Sequence, residues 1–356
     1  MIKKKIIPIF VPHQGCPHDC IFCNQQKITG VSTDMTGEKA REIIEESLKT
    51  IDMDAEIEIA FFGGSFTAID KDKQIELLSV AKEYKDKKIV KDIRMSTRPD
   101  CIDEEELTLI KKYGATIIEL GVQSMDEDVL LESLRGHKSD VVVESSRLIK
   151  EFGFTLGLQM MVGLPTDSEE KCIFTAREFI KIKPSFVRIY PTLVIKETGL
   201  ETAYNEGYYK AFKLDECIDI VKKLIVLYTV NDIKIIRVGL QATDDIQLGI
   251  DVLAGPYHPA FRELVDSRMI RDYLEATIPK SFEELTIYSS NSHISTIVGN
   301  KRSNRIFIND NYKAKFKTKT DNSLKDKMSI EVDGKIIDEI SFRDMISKLE
   351  KIYSLC

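Results

Sequence analysis

Apolar positions along the first two thirds of the chain follow two alternating periods. Residues 6–11, 56–62, 93–96, 116–122, 154–160 and 186–190 are short apolar or period-two runs that predict strands, separated by stretches with apolar residues at helical spacing. The helical stretches cover 37–51, where Ile43, Ile44, Leu48 and Ile51 share a face, then 72–84, 103–113, 126–135, 140–152 and 168–181. Ser168, Glu169 and Glu170 suit the first turn of the last one. Strand and helix in regular alternation predict an α/β fold with six parallel strands, each followed by a helix: a partial (β/α)6 barrel. In such folds chemistry gathers at the C-terminal ends of the strands. The loop after residue 11, Gly63-Gly64-Ser65, Ser96-Thr97-Arg98, Gln123-Ser124 and residues 161–164 all fall there.

After residue 190 the pattern changes. A Tyr- and Gly-bearing stretch over 190–209 is too long for a tight connection and is placed to roof the strand ends. A helix over 214–230, a strand over 233–238 and a loop over 249–259 follow. Beyond about 280 the reading is a strand at 284–288, a short helix at 292–298, the basic turn Gly299-Asn300-Lys301-Arg302 and a helix at 303–311. Strands at 312–320 and 328–332 and a last helix at 341–353 complete it. The expected organisation is a barrel over 1–240, a connector over 241–280 and a small basic α+β domain over 281–356.

With 356 residues and 43% apolar content, the chain can bury a large core. The apolar run after Met1-Ile2-Lys3-Lys4-Lys5 is short and broken by Pro8 and Pro12, so no secretory or membrane-spanning segment is expected. A net charge of −7 argues against general affinity for nucleic acid. The distribution modifies that, because 301–327 carries nine basic and three acidic residues, a local +6 against −13 elsewhere. Such a segment is either a dedicated anion-binding module or a solvated Lys-rich face. Lys313, Lys315, Lys317 and Lys319 alternate with Ala314, Phe316 and Thr318, giving a strand one cationic and one packing face.

Seven cysteines, an odd number, make a poor disulfide framework and suit a reducing cytoplasm. Cys101, Cys172, Cys217 and Cys356 are scattered and read as ordinary thiols. Cys16, Cys20 and Cys23 lie within eight residues of one another, after the first strand. Three thiolates are one ligand short of a closed tetrahedral site, and an open position implies chemistry. A zinc knuckle with His13 or His18 as fourth ligand competes with an iron-sulfur cluster, which the βα pattern downstream favours. His13 and His258 otherwise read as structural loop residues. Tyr190, Lys196 and Tyr204 either line a substrate entrance or pack as a lid.

The loop Cys16-Pro17-His18-Asp19-Cys20-Ile21-Phe22-Cys23, with an aromatic residue before its third cysteine, resembles the CxxxCxxC hallmark of the radical S-adenosylmethionine (SAM) superfamily. The resemblance runs over about residues 6–240. It implies a 4Fe-4S cluster on Cys16, Cys20 and Cys23 whose open iron chelates SAM. It also implies an external one-electron reductant of flavodoxin or ferredoxin type, and cleavage of SAM to methionine and a 5'-deoxyadenosyl radical that takes hydrogen from a substrate. Gly63-Gly64-Ser65 matches the superfamily's Gly-Gly-Glu position, whose backbone meets the SAM amino group, with Ser65 lacking the carboxylate. Leu120-Gly121-Val122-Gln123-Ser124, with Arg135 twelve residues beyond Gln123, resembles the coproporphyrinogen-oxidase and Elongator pattern. That likeness implies Gln123 on the SAM ribose, Ser124 beside it and Arg135 on the carboxylate. Residues 161–165 resemble the turn beside the adenine.

Ser96-Thr97-Arg98-Pro99-Asp100, Arg135-Gly136-His137 and Tyr190-Pro191-Thr192-Leu193-Val194-Ile195-Lys196-Glu197-Thr198-Gly199-Leu200 are similar to the catalytic subunit of Elongator. That family modifies the wobble uridine of tRNA with acetyl-CoA and a fused acetyltransferase domain. Nothing after residue 280 reads as an acetyltransferase, so use of acetyl-CoA is not implied. The basic tail instead resembles a KH-like RNA-binding module in which Arg302 replaces the second glycine of the usual loop; Lys301, Arg302 and Arg305 are then the phosphate contacts. A plain oligomerisation or capping domain is the alternative. The expected function is a cytoplasmic radical SAM enzyme acting on RNA, tRNA above all. Its rivals are a radical SAM reaction on a small molecule, of the coproporphyrinogen-oxidase class, and a non-catalytic iron-sulfur or zinc protein that binds RNA.

Overall fold

The computed structural model describes residues 4–11, 16, 18–24, 35–52, 54–240 and 248–355; His13 and Cys356 lie outside them. The chain forms two compact units, one from residues 1–212 with 241–257, the other from 213–240 with 258–356.

In the first unit, six strands alternate with helices: β1 (Lys4–Val11), α1 (Gly37–Leu48), β2 (Glu56–Gly63), α2 (Lys71–Asp86), β3 (Asp92–Thr97), α3 (Glu104–Lys112), β4 (Ile117–Gln123), α4 (Glu127–Glu132), α5 (Ser139–Glu151), β5 (Thr155–Val162), α6 (Glu169–Ile182) and β6 (Phe186–Pro191). Each strand pairs in parallel with the next, which brings their C-terminal ends to one edge of an open barrel. Helix starts are fixed locally. Thr36, Asp70, Asp103, Asp126 and Ser168 each accept a hydrogen bond from a backbone N–H two or three residues on, satisfying donors that the first turn leaves open.

Ile57, Ile59, Ile93, Met95, Ile118 and Leu120 are buried on one face of the sheet. The other face is buried as well, and it is charged. Glu58, Arg94, Glu119 and Arg188 sit on the alternate positions of β2, β3, β4 and β6, all nearly inaccessible. The period-two alternation of residues 56–62 therefore does not mark a solvent face. At Glu58 it points into the barrel interior, while Glu56 at the strand start stays partly exposed beside Lys4 and Lys91.

Two differences from the sequence pattern shape the site. The helix expected over 126–135 ends at Glu132, because Leu134 takes φ +53° and Gly136 φ +73°. The stretch after β6 is not a bare loop: Val194–Ile195 pairs antiparallel with Val252–Ala254, inside the region expected to be a loop, and Gly199–Asn205 is helical.

The second unit contains α7 (Leu214–Val230), β7 (Lys234–Val238), α8 (Phe261–Thr277), β8 (Glu284–Ser289), α9 (Asn291–Val298), α10 (Ser303–Tyr312), β9 (Lys315–Thr320), β10 (Lys327–Val332), β11 (Lys335–Ser341) and α11 (Phe342–Ile352). A four-stranded sheet has the order β9-β8-β10-β11, parallel between β8 and β9 and antiparallel elsewhere. The α9-α10 pair forms the crossover that two parallel neighbours require. The strand β11 has no counterpart in the sequence reading. β9 begins later than the Lys alternation suggests, because α10 runs through Tyr312 and Lys313 turns out of it at φ +54°. On β9, Lys315, Lys317 and Lys319 are exposed while Phe316 is buried.

Candidate active site

Cys16 and Cys23 are half-buried and Cys20 is buried, and all three line one cavity of about 130 Å³ at the strand ends. The segment is tightly folded, with the Cys23 N–H donating to the Cys20 carbonyl at 2.9 Å. Neighbours hold it from outside. The Leu200 N–H donates to the Ile21 carbonyl at 2.7 Å, the Ile21 N–H to the Ser133 carbonyl at 3.3 Å, and the Asn24 amide to the Lys196 carbonyl at 3.3 Å. Ile21 and Phe22 pack against Val194, Leu200 and Tyr209. The stretch expected to roof the site thus grips the thiol loop. Tyr190, Lys196 and Tyr204 are not among the residues lining the cavity.

Gly63, Gly64 and Ser65 line the same cavity. At Gly63 the backbone has φ +109°, and a Cβ there would sit 2.4 Å from the Val11 carbonyl oxygen, so only glycine lets β1 and β2 close at their ends. The Gly64 N–H donates to that carbonyl at 3.1 Å, and the Ser65 hydroxyl lies 3.9 Å from Cys16 Sγ. Gln123 ends β4 at a register shift in the β4–β5 ladder and has φ +76°, an irregularity that aims its amide into the cavity. Ser124 does not line the cavity. Its hydroxyl meets Thr175 at 3.2 Å and accepts from the Asp126 N–H at 3.1 Å, pinning the turn behind Gln123. Arg135 lines the cavity and donates through Nη1 to Cys20 Sγ at 3.0 Å and through Nη2 to the Gly121 carbonyl.

Sequence reasoning did not single out Arg98 as a site residue. It is 3% exposed and donates through Nη1 to Cys20 Sγ at 3.4 Å and through Nη2 to the Arg135 carbonyl. Asp100 grips the rest of the guanidinium, with Nε at 2.9 Å and Nη2 at 3.0 Å from its two oxygens. Burial alone would raise the Asp100 carboxyl, yet the Arg98 fork holds it below the usual carboxylate range. His18 also lines the cavity, its Nε2 3.7 Å from Asp100 Oδ2. The detectable signal was Arg-Pro-Asp at a strand end, where a carboxylate two residues on can fork the guanidinium.

Next to this cavity lies the charged interior layer, also absent from the sequence reading. Glu119, with no exposed surface, accepts from Arg94 Nη1, from Arg188 Nη2 at 2.9 Å and from Gln159 Nε2 at 2.9 Å. Glu58 takes Arg94 Nε at 3.0 Å and Nη2 at 2.6 Å. Arg188 stacks over Phe62 and Arg94 over Phe186. Two carboxylates and two guanidiniums balance, and Gln159 joins the layer to the cavity, which it lines with Ser96.

The remaining sequence candidates lie in the second unit. Lys301 and Arg302 are exposed at φ +51° and +64°, a left-handed turn between α9 and α10, while Arg305 is partly buried on α10. His258 has a local role, its Nδ1 accepting from the Ala260 N–H at 3.1 Å.

The profile of the radical SAM superfamily matches residues 10–179, and that of a radical SAM C-terminal domain matches residues 184–271. Elongator complex protein 3 of Dictyostelium discoideum is 38% identical over 139 residues, which cover 38% of this chain and 25% of that protein. The tRNA uridine(34) acetyltransferase of Methanocaldococcus infernus is 28% identical over 259 residues, 61% of this chain and 48% of that protein. The chain thus spans between a quarter and a half of the length of these relatives. A solved archaeal Elp3 from Methanocaldococcus infernus, lacking residues 1–46, matches with a TM-score of 0.59 at 24% identity, over 76% of this chain and 63% of that one, a likeness of fold. The superfamily profile runs through the thiol loop and the parallel strands, and the C-terminal profile follows it; the chain belongs to the radical SAM superfamily of enzymes.

Proposed function

We propose that the active centre holds a 4Fe-4S cluster on Cys16, Cys20 and Cys23 and SAM at Gly63, Gly64, Ser65, Gln123 and Arg135, and that the substrate is RNA, specifically tRNA. The observation that carries the cofactor reading is a pair of buried polar atoms. Gln123 Oε1 and Arg135 Nε have no hydrogen-bond partner among the described residues, on side chains that line the cavity of the three thiols. Buried polar atoms are ordinarily satisfied, and a nucleoside hydroxyl and a carboxylate are the partners these two would take. The donor set fits a cluster. Among the described residues no three His, Cys, Asp or Glu are gathered as they would be around one metal ion. The three thiols instead line a shared cavity, which suits thiolates bound to three separate irons.

When both are bound and an external flavodoxin- or ferredoxin-type donor supplies one electron, the cluster and SAM provide reductive cleavage to methionine and a 5'-deoxyadenosyl radical that removes hydrogen from the substrate. The protein's share is placement. Gly63 and Gly64 bring bare backbone to the cavity wall, where a side chain at Gly63 would strike β1. Gln123 offers its amide oxygen to a ribose hydroxyl, with Ser124 fixing the turn behind it, and Arg135 offers Nε–H to a carboxylate. Ser65 adds a hydroxyl to the same wall, in place of the carboxylate the superfamily carries there.

The RNA reading draws on the relatives' names and on the exposed basic turn of the second unit, which we read as a KH-like loop. Lys301 and Arg302 stand in left-handed backbone between two helices, in the same unit as the exposed lysines of β9. No helix among the described residues is long and apolar enough to cross a membrane. A cytoplasmic setting fits a tRNA substrate.

Anaerobic reconstitution with reductant and SAM is expected to give a 4Fe-4S spectrum and 5'-deoxyadenosine; absence of either overturns the cofactor reading. Neutralising Lys301, Arg302 and Arg305 together is expected to weaken tRNA binding and flatten log K against log salt by about 2.1–2.7 units, at ~0.7–0.9 for each phosphate no longer neutralised. An unchanged slope overturns the KH-like assignment. SAM cleavage with no nucleoside altered in tRNA from cells carrying the protein would move the substrate to a small molecule.

A further inference from the structure

We infer that Arg98 sets the reduction potential of the cluster through its hydrogen bond to Cys20 Sγ, acting as a positioning residue held in place by Asp100. This rests on the reading of Cys20 as a cluster ligand. The geometry separates Arg98 from the residues assigned to SAM. Its guanidinium is tied on three sides: Nε and Nη2 to the two Asp100 oxygens at 2.9 and 3.0 Å, and Nη2 also to the Arg135 carbonyl. The nitrogen left over, Nη1, lies 3.4 Å from Cys20 Sγ. A fork held at both carboxylate oxygens cannot swing away, so the N–H···S contact is built into the apoprotein rather than organised by a ligand. Arg135 reaches the same sulfur at 3.0 Å, but its Nε is unpartnered and is assigned above to the SAM carboxylate. Arg98 has no such second duty.

An electron entering an iron-sulfur cluster adds negative charge that spreads onto the sulfurs. A cationic N–H donor at a ligand sulfur therefore stabilises the reduced state more than the oxidised one and raises the potential. The half-reaction takes one electron into the 2+ cluster to give the 1+ cluster, with no proton and no bond broken; dithionite, oxidised to sulfite, supplies the electron in the titration. Asp100 opposes the effect by partly neutralising Arg98, so the two residues move the potential in opposite directions.

The test is a mediated redox titration of the anaerobically reconstituted full chain, read by the EPR signal of the reduced cluster, in wild type, Arg98→Met, Arg98→Lys and Asp100→Asn. Iron and sulfide per chain are measured alongside. At a fixed potential near the wild-type midpoint, the ratio of reduced to oxidised cluster is expected to fall about tenfold in Arg98→Met, equivalent to about 59 mV for one electron. It is expected to fall less in Arg98→Lys, which keeps the charge without the fork, and to rise in Asp100→Asn. Should Arg98→Met not fold, the opposite signs of the other two variants decide. A merely structural Arg98 would lower cluster content and leave the midpoint of the remaining cluster unchanged, and that result overturns the inference. Wild-type chain that forms no 4Fe-4S cluster overturns the underlying cofactor reading instead.

Discussion

Replacing Glu119 with glutamine isolates the energetics of the charged layer inside the barrel. The substitution keeps the volume and an acceptor oxygen, but it removes one of two carboxylates that balance Arg94 and Arg188. Glu58 still pairs with Arg94, so one unit of positive charge, centred on Arg188, is left unpaired among side chains with less than a tenth of their surface exposed. Stranding a charge in this way costs about 3–5 kcal/mol, against ~0.2–1 kcal/mol for an exposed pair. The assay is urea unfolding. Because a chain of two compact units need not unfold in one step, hydrogen exchange of β3 to β6 amides should accompany it. The double variant Glu119→Gln/Arg188→Met should recover most of the loss, since it leaves the Glu58–Arg94 pair and no stranded charge. A loss below ~1 kcal/mol in the single variant would refute the claim that the layer is electrostatically dry. Acid adds a second check. Burial would push Glu119 up, yet Arg188 and Arg94 hold it below the ordinary carboxylate range. Its contribution is therefore full above the unfolded value of about 4.3 and lost as pH falls through the lower folded value, a dependence the glutamine variant should lack.

Two further substitutions test other parts of the site. Gly63→Ala places a Cβ 2.4 Å from the Val11 carbonyl at φ +109°; it should destabilise the first unit by about 1–3 kcal/mol in urea melts and lower cluster content on reconstitution. His137 is pushed down to about 4, by burial first and then by the Arg135 charge, so the unfolded chain binds the proton more readily. Stability should therefore decline as pH falls from about 6.5 towards 4, and His137→Gln should flatten that decline in urea midpoints measured at several pH values. An identical pH slope in the variant would remove His137 from the account.

Much of the site was legible because its signals are local. Three thiols in eight residues, a Gly-Gly pair ending a strand and a glutamine ending another need only the strand pattern to place them together, and Cys16, Cys20, Cys23, Gly63, Gly64, Ser65, Gln123 and Arg135 do line one cavity. Arg98 was hidden because its partner, Cys20, is 78 residues away in sequence. The charged layer was hidden for another reason. Glu58 in Glu56-Ile57-Glu58-Ile59 has the spacing of a solvent face, and only closure of the sheet around an interior turns that face inward. Strands of a parallel barrel are covered on both sides, so opposite charges within several of them were the available clue. Second-unit features such as β11 carry mixed polarity that no period resolves.

The early end of α4 shows how a local departure creates the site. Apolar spacing alone carries the helix through residue 135, which would place Arg135 on its last turn. Instead Leu134 adopts left-handed backbone, the Arg135 N–H returns to the Leu130 carbonyl, and Gly136 completes the reversal at φ +73°. Three consequences follow from this one turn. The Ser133 carbonyl accepts the Ile21 N–H of the thiol loop, the Arg135 carbonyl accepts Arg98, and the Arg135 side chain reaches Cys20 and Gly121. The ends of β3 and β4 and the thiol loop are thereby tied to a single point. Gly136 is essential to it in a second way, since a Cβ there would lie 2.4 Å from the His18 ring. A side chain at that position would be strained by the left-handed backbone and would have to displace the His18 ring, which lines the same cavity as Cys20, so the conformational freedom of one glycine bears on that cavity as well as on the end of a helix.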